Sequence, residues 1–178
     1  MDATEREFVL KHLDDNRIRL LGSVQGLSEE QAKFRTAPDQ WSIADCIEHL
    51  DLVENRVFAA IQRVLREEPP EIQPDVQDKT KQMMHFVVDR GTRIKAPEPV
   101  APRREWASFS ELVGRFEATR GRTIQFASET GTDLHSRFFQ HIVFKELDCY
   151  QWLIFLGLHA ERHIRQLEEV KSNAAFPR

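Results

Sequence analysis

Apolar residues recur at spacings of three and four over four long stretches of this chain, and that rhythm restricts its fold more than any other feature. In the first stretch, residues 3 to about 25, Phe8, Val9, Leu13, Leu20, Leu21 and Val24 carry it, and Gly26 follows as a stop. In the second, Ile43, Ile47, Leu50, Val53, Val57, Ile61 and Val64 carry it to about Arg66. Ser42 is its expected cap, Asp45 falls in the first turn where a negative charge suits the helix dipole, and "EEPPEIQP" ends it. The third opens at Ser108 or Ser110, the former spaced from Glu111 as a capping box, runs through Leu112, Phe116, Ile124 and Phe126, and closes at Gly131. The fourth, roughly 144 to 172, holds Leu147, Trp152, Phe155, Leu156, Leu167 and Val170. No stretch alternates well enough to predict a strand, and "TDLHSRFFQHIVF" reads as a turn region.

Four such helices predict an all-α four-helix bundle, one domain over residues 1–178. Residues 68 to 107 form a long crossover between the second and third helices. It holds a short helix around "DKTKQMMHFVVDR" and then "KAPEPVAPRREW", which its prolines keep extended. A second capping box, Ser28 with Gln31, opens a short helical turn after Gly26.

Charge narrows the function classes. The net charge of −4 argues against a nucleic-acid partner, which calls for a basic face. No apolar run approaches the roughly 20 residues that cross a bilayer. The amphipathic, acidic start "MDATEREFVLKHL" is no secretory signal, so a cytoplasmic location is expected. The two cysteines, Cys46 and Cys149, lie within apolar helical patterns and read as reduced, buried thiols.

Chemistry concentrates in the histidines. His159 and His163, in "GLHAERH", share one face of the last helix a turn apart. His49, three after Cys46 and four before Val53, points toward the same interior from the second helix. Three imidazoles from two helices can close on one divalent metal such as zinc, nickel, iron or copper, leaving a position open as catalytic zinc sites do. The same residues also fit hydrogen-bonded polar groups at a core edge. The zincin motif H-E-x-x-H is excluded, because Ala160 stands where its glutamate belongs and Glu161 lies roughly 200° around the helix from His159. Asp45, one turn before His49, and Gln166, one turn after His163, are candidates to orient the rings. His12 reads as structural, while His85, His135 and His141 read as loop or surface residues.

"APDQWSIADCIEHL" and "YQWLIFLGLHAERHIRQLEEV" together resemble the DinB-like superfamily. Where that family often reads H-P-x-F-G-x-L, His135 and Phe138 match loosely, and the glycine expected near Phe139 is missing. The resemblance implies an up-down-down-up bundle, often homodimeric. It also implies a divalent metal, nickel or zinc, on three histidines that correspond to His49, His159 and His163. It further implies a small-molecule substrate and a metal-dependent S-transferase using a low-molecular-weight thiol such as bacillithiol or mycothiol. A metal-dependent hydrolase, or a non-catalytic binding protein linked to stress, are the alternatives. It assigns no catalytic residue beyond the ligand set.

Overall fold

A computed structural model describes residues 1–71, 78–91 and 94–178. Residues 72–77 and 92–93, both within the expected crossover, lie outside the described residues. Four long helices dominate: α1 (Ala3–Val24), α3 (Ile43–Val64), α5 (Phe109–Glu129) and α6 (Cys149–Lys171). Between them lie the short helices α2 (Glu29–Lys33) and α4 (Thr80–Phe86). Among the described residues no helix is long and apolar enough to cross a membrane.

The helix starts are set by side chains that satisfy otherwise orphaned backbone donors. Asp2 with Glu5, Ser28 with Gln31, Ser42 with Asp45 and Asp148 with Gln151 each form a reciprocal capping box. At α5 the box is half made. Ser108 accepts from the Glu111 N–H, but the Glu111 carboxylate accepts from Ala107 N–H instead. The turn after α1 needs a left-handed residue, and Gly26 supplies it at φ 76°.

Residue pairings give the direction of each helix. Arg6 donates to the carbonyls of Ala127 and Thr130, so the start of α1 meets the end of α5 and the two run antiparallel. Arg19 pairs with Glu161 and Lys171 donates to Ser23 O, which makes α1 and α6 parallel. Thr119 donates to Asp51, and Phe126 packs edge-on against Phe58, which makes α3 and α5 parallel. The early residues of α3 share a core with the late residues of α6. The bundle is therefore up-down-down-up, and the α3–α5 link is the crossover.

Two apolar clusters fill the interior. One gathers Val9, Leu13, Ile61, Leu153 and Leu158; the other gathers Leu20, Ile47, Phe116, Ala160 and Leu167. On α6 the boundary between them falls at His159. A fully buried guanidinium links the bundle here: Arg120 pairs bidentately with Glu54 on α3 and donates to Leu13 O on α1 and Leu156 O on α6.

Four expectations need correction. The last helix begins at Cys149, not near 144, because residues 138–148 form an antiparallel hairpin of β1 (Phe138–His141) and β2 (Lys145–Asp148). Four-residue strands are too short to imprint a period of two. Second, His141 is buried rather than superficial: it accepts the Val143 and Phe144 N–H groups at Nδ1 and packs against Phe155 and Trp152. His135 does lie in the loop before β1, half-buried and bonded to Asp148 and Glu5. Third, the left-handed position of the hairpin is Lys145, at φ 60°. The H-x-x-F-G-x-L spacing is thus met by His141, Phe144 and Leu147, six residues beyond the register read from sequence, with Lys145 in the glycine's place. The crossover is also less extended than its prolines suggest, since Glu98–Val100 coils into a 3-10 turn.

Candidate metal centre

His49 sits in the second turn of α3, and α6 presents His159 and His163 one turn apart. The structure brings the three together across the antiparallel α3–α6 flank. The Nε2 atoms of His49 and His163 each lie 3.2 Å from His159 Nε2. All three candidate ligand atoms fall within 4.8 Å of one another. His49 and His163 are each 5% exposed, while His159 keeps more contact with solvent and marks the accessible side. Aromatic rings wall the site. Trp41 lies 4.8 Å from His49 and stacks on His163 at 5.9 Å, and Phe155 stacks on His159 at 5.3 Å.

Two of the rings have their tautomers fixed by carbonyl oxygens. His49 donates its Nδ1–H to the Val100 backbone oxygen at 2.7 Å. His163 donates its Nδ1–H to Gln166 Oε1 at 3.1 Å, and Arg90 donates to that same oxygen at 3.0 Å. In a neutral imidazole only one nitrogen carries a proton, so both Nε2 atoms are bare lone pairs. His159 Nε2 can donate to one of them at most. At least one 3.2 Å approach between ring nitrogens therefore lacks a hydrogen bond, which a cation at the centre relieves. Nitrogens at about 2.0–2.1 Å from a tetrahedral metal are roughly 3.3 Å apart, close to the two 3.2 Å spacings about His159.

The protonation states fit the same reading. Burial, foremost, lowers His49 to about 4 and pushes His159 and His163 well below the ordinary histidine value, with the neighbouring imidazoles acting in the same sense on the latter two. All three rings are neutral at pH 7, the form that ligates metal.

Other candidates separate by what they touch. Gln166 does meet a ring, at His163 Nδ1. Asp45 does not orient His49: its carboxylate accepts from Ser42 N–H, Arg35 and Arg104, and the ring turns to Val100 instead. Asp45 and the neighbouring Glu48 rather hold the end of the crossover, Glu48 accepting the backbone N–H groups of Arg103 and Arg104, the latter at φ 63°. Arg162 donates to the carbonyls of Val87 and Asp89. Cys46 is fully buried, burial raises its thiol far above the usual range, and it does not join the three histidines within 4.8 Å. His12 fills a notch left by Gly157, where a Cβ would fall 2.2 Å from the ring.

The sequence missed Val100 and Arg90. A backbone carbonyl leaves no trace in residue type, and Arg90 lies in the aperiodic crossover where nothing distinguishes it from a solvated cation.

Fold and site together define a helical-bundle protein with a buried three-histidine centre. The DinB superfamily pattern matches residues 12–167, and the chain belongs to that superfamily. It is similar to the uncharacterized protein YuaE of Bacillus subtilis (strain 168), 24% identical over 158 residues, 89% of this chain and 94% of YuaE. Its fold is also that of YfiT from Bacillus subtilis, described as a probable metal-dependent hydrolase with an unusual four-helix bundle topology. The TM-score is 0.65 at 17% identity, over 96% of this chain and 88% of YfiT.

Proposed function

We propose that this protein holds a divalent transition metal, nickel or zinc, on His49, His159 and His163, and that it transfers a low-molecular-weight thiol to a small electrophile. The observation that carries the metal is the convergence of three neutral Nε2 atoms, two of them with their protons committed elsewhere. A bound ion supplies a Lewis acid that lowers the pKa of a thiol or water at its open position.

Thiol transfer is favoured over hydrolysis by what accompanies the triad. Among the described residues no carboxylate joins the three histidines within 4.8 Å. A thiol is far more acidic than water to begin with, so it ionises more readily at the open position. Its proton leaves to solvent, its sulfur bonds an electrophilic carbon, and the leaving group departs with the bonding pair. Trp41 and Phe155 supply apolar walls that exclude water from the nucleophile. A hydrolase, as YfiT is described, is the second reading. The homodimer that the resemblance implies and the cytoplasmic location expected from the sequence accompany the first, and sedimentation of the purified protein checks the dimer.

Metal analysis of protein purified without a histidine tag comes first. About one equivalent is expected in the wild type and little in His49→Ala, His159→Ala or His163→Ala; equal metal in all four overturns the site. Thermal shift with bacillithiol, mycothiol and glutathione follows. A thiol that stabilises only the metal-loaded protein supports transfer. Metal-dependent ester or amide cleavage without any thiol response replaces it with the hydrolase.

A further inference from the structure

The metal reading leaves a question about His163. Its ring binds metal through Nε2 only while the proton stays on Nδ1, and that proton is held there by an amide. A glutamine side chain has an accepting oxygen at one end and a donating nitrogen at the other, of nearly equal size. Turned over, Gln166 presents NH2 to His163 Nδ1. The ring then accepts at Nδ1, its proton moves to Nε2, and the ligand lone pair is lost.

Arg90 prevents that turn. Its Nη1 lies 3.0 Å from Gln166 Oε1, the same oxygen that His163 uses. A guanidinium carries only donors and keeps its charge, so it pairs with the amide oxygen and never with the amide nitrogen. The guanidinium is itself aimed, because Nε and Nη2 grip the two Glu169 oxygens at 2.9 and 2.6 Å. Gln166 and Glu169 stand three and six residues after His163 on α6, so one crossover side chain spans the helix from the site outward. The crossover near Arg90 is seated in turn by Arg162, which donates to the Val87 and Asp89 carbonyls.

We propose that Arg90 is a positioning residue for the metal centre: by donating to Gln166 Oε1 it fixes the amide's orientation, and through the amide it fixes the His163 tautomer that leaves Nε2 free. This rests on the metal reading of the histidines, but its mechanism is visible without metal.

Two substitutions separate polarity from simple attachment. Arg90→Lys keeps a donor-only head. Arg90→Gln keeps hydrogen bonding but can itself turn over. Nitrogen NMR of the histidine rings in the metal-free protein is expected to find His163 protonated at Nδ1 in the wild type and in Arg90→Lys. Arg90→Gln is expected to show a mixture with the Nε2–H form. Zinc affinity, by competition with a chelator, is expected to fall about 10- to 100-fold in Arg90→Gln, the usual cost of losing an outer-shell partner, and by only a few-fold in Arg90→Lys. Gln166→Glu has two accepting oxygens and no wrong orientation, so in that background Arg90→Gln should cost little. If Arg90→Gln keeps the wild-type tautomer, or lowers affinity equally in both backgrounds, the proposal is overturned. If the wild type takes up no zinc, or His163→Ala binds it as well as wild type, the metal reading fails instead, and the tautomer result still decides the role of Arg90.

Discussion

Lys145 shows how a single residue carries the cost of a turn. Its backbone sits at φ 60°, in the left-handed region that disfavours any side chain with a Cβ, and the residue is exposed. Lys145→Gly is therefore expected to stabilise the protein by about 1 kcal/mol, read as a rise in Tm of roughly 2–4 °C for a chain of this size. A lower Tm would mean that the lysine makes a compensating contact. The hairpin it closes also holds His141, whose Nδ1 takes both N–H groups of the turn. The same scale explains the misplaced motif. His135 and His141 each stand three before a phenylalanine, but only the His141 register ends on a leucine, Leu147, and the backbone angle at Lys145 agrees with it.

Among the elements, Arg120 does what no apolar residue could. It lies on α5 with no exposure, neutralises Glu54 of α3, and satisfies carbonyls of α1 and α6. Arg120→Met leaves Glu54 buried and unpaired, and a loss of about 3–5 kcal/mol in denaturant unfolding is expected. Arg120→Met with Glu54→Leu removes both charges and should recover most of it. If the double variant is as unstable as the single one, the carbonyl contacts of Arg120 matter more than its charge. The helices were legible because their apolar rhythm and caps are local: Ser42 with Asp45 and Ser28 with Gln31 are visible as letters three apart. The hairpin was not, since its register depends on pairing Phe138 with Asp148 across a turn. Arg120 carries no local signal of its role, which exists only where four helices close on it.

For the whole molecule, histidine burial sets the pH response. Burial leads in lowering His12, His49, His141, His159 and His163, with His49 and His141 brought to about 4. A folded value below the unfolded one means stability that is complete above about pH 6.5 and is lost as pH falls through the folded values. His135 runs the other way. Burial opposes its charge, but hydrogen bonds and charges from Asp148 and Glu5 outweigh that and raise it, so its contribution fades as pH rises. Five against one predicts that the metal-free protein loses several degrees of Tm between pH 7 and 5. A flat or rising Tm over that window would contradict the buried, neutral rings.

The sequence by itself determined the four helices, the starts of the first three, and the three histidines offered for one centre. These follow from periodicity and capping, which act between neighbours along the chain. The tertiary structure decided that the histidines meet at 3.2 Å, that Val100 and Gln166 hold their protons, and that Arg90 is aimed at Gln166. The reason is physical: which nitrogen of a ring is free depends on what stands opposite the other one. Here those partners are a backbone carbonyl of the crossover and an amide whose orientation the crossover's arginine sets.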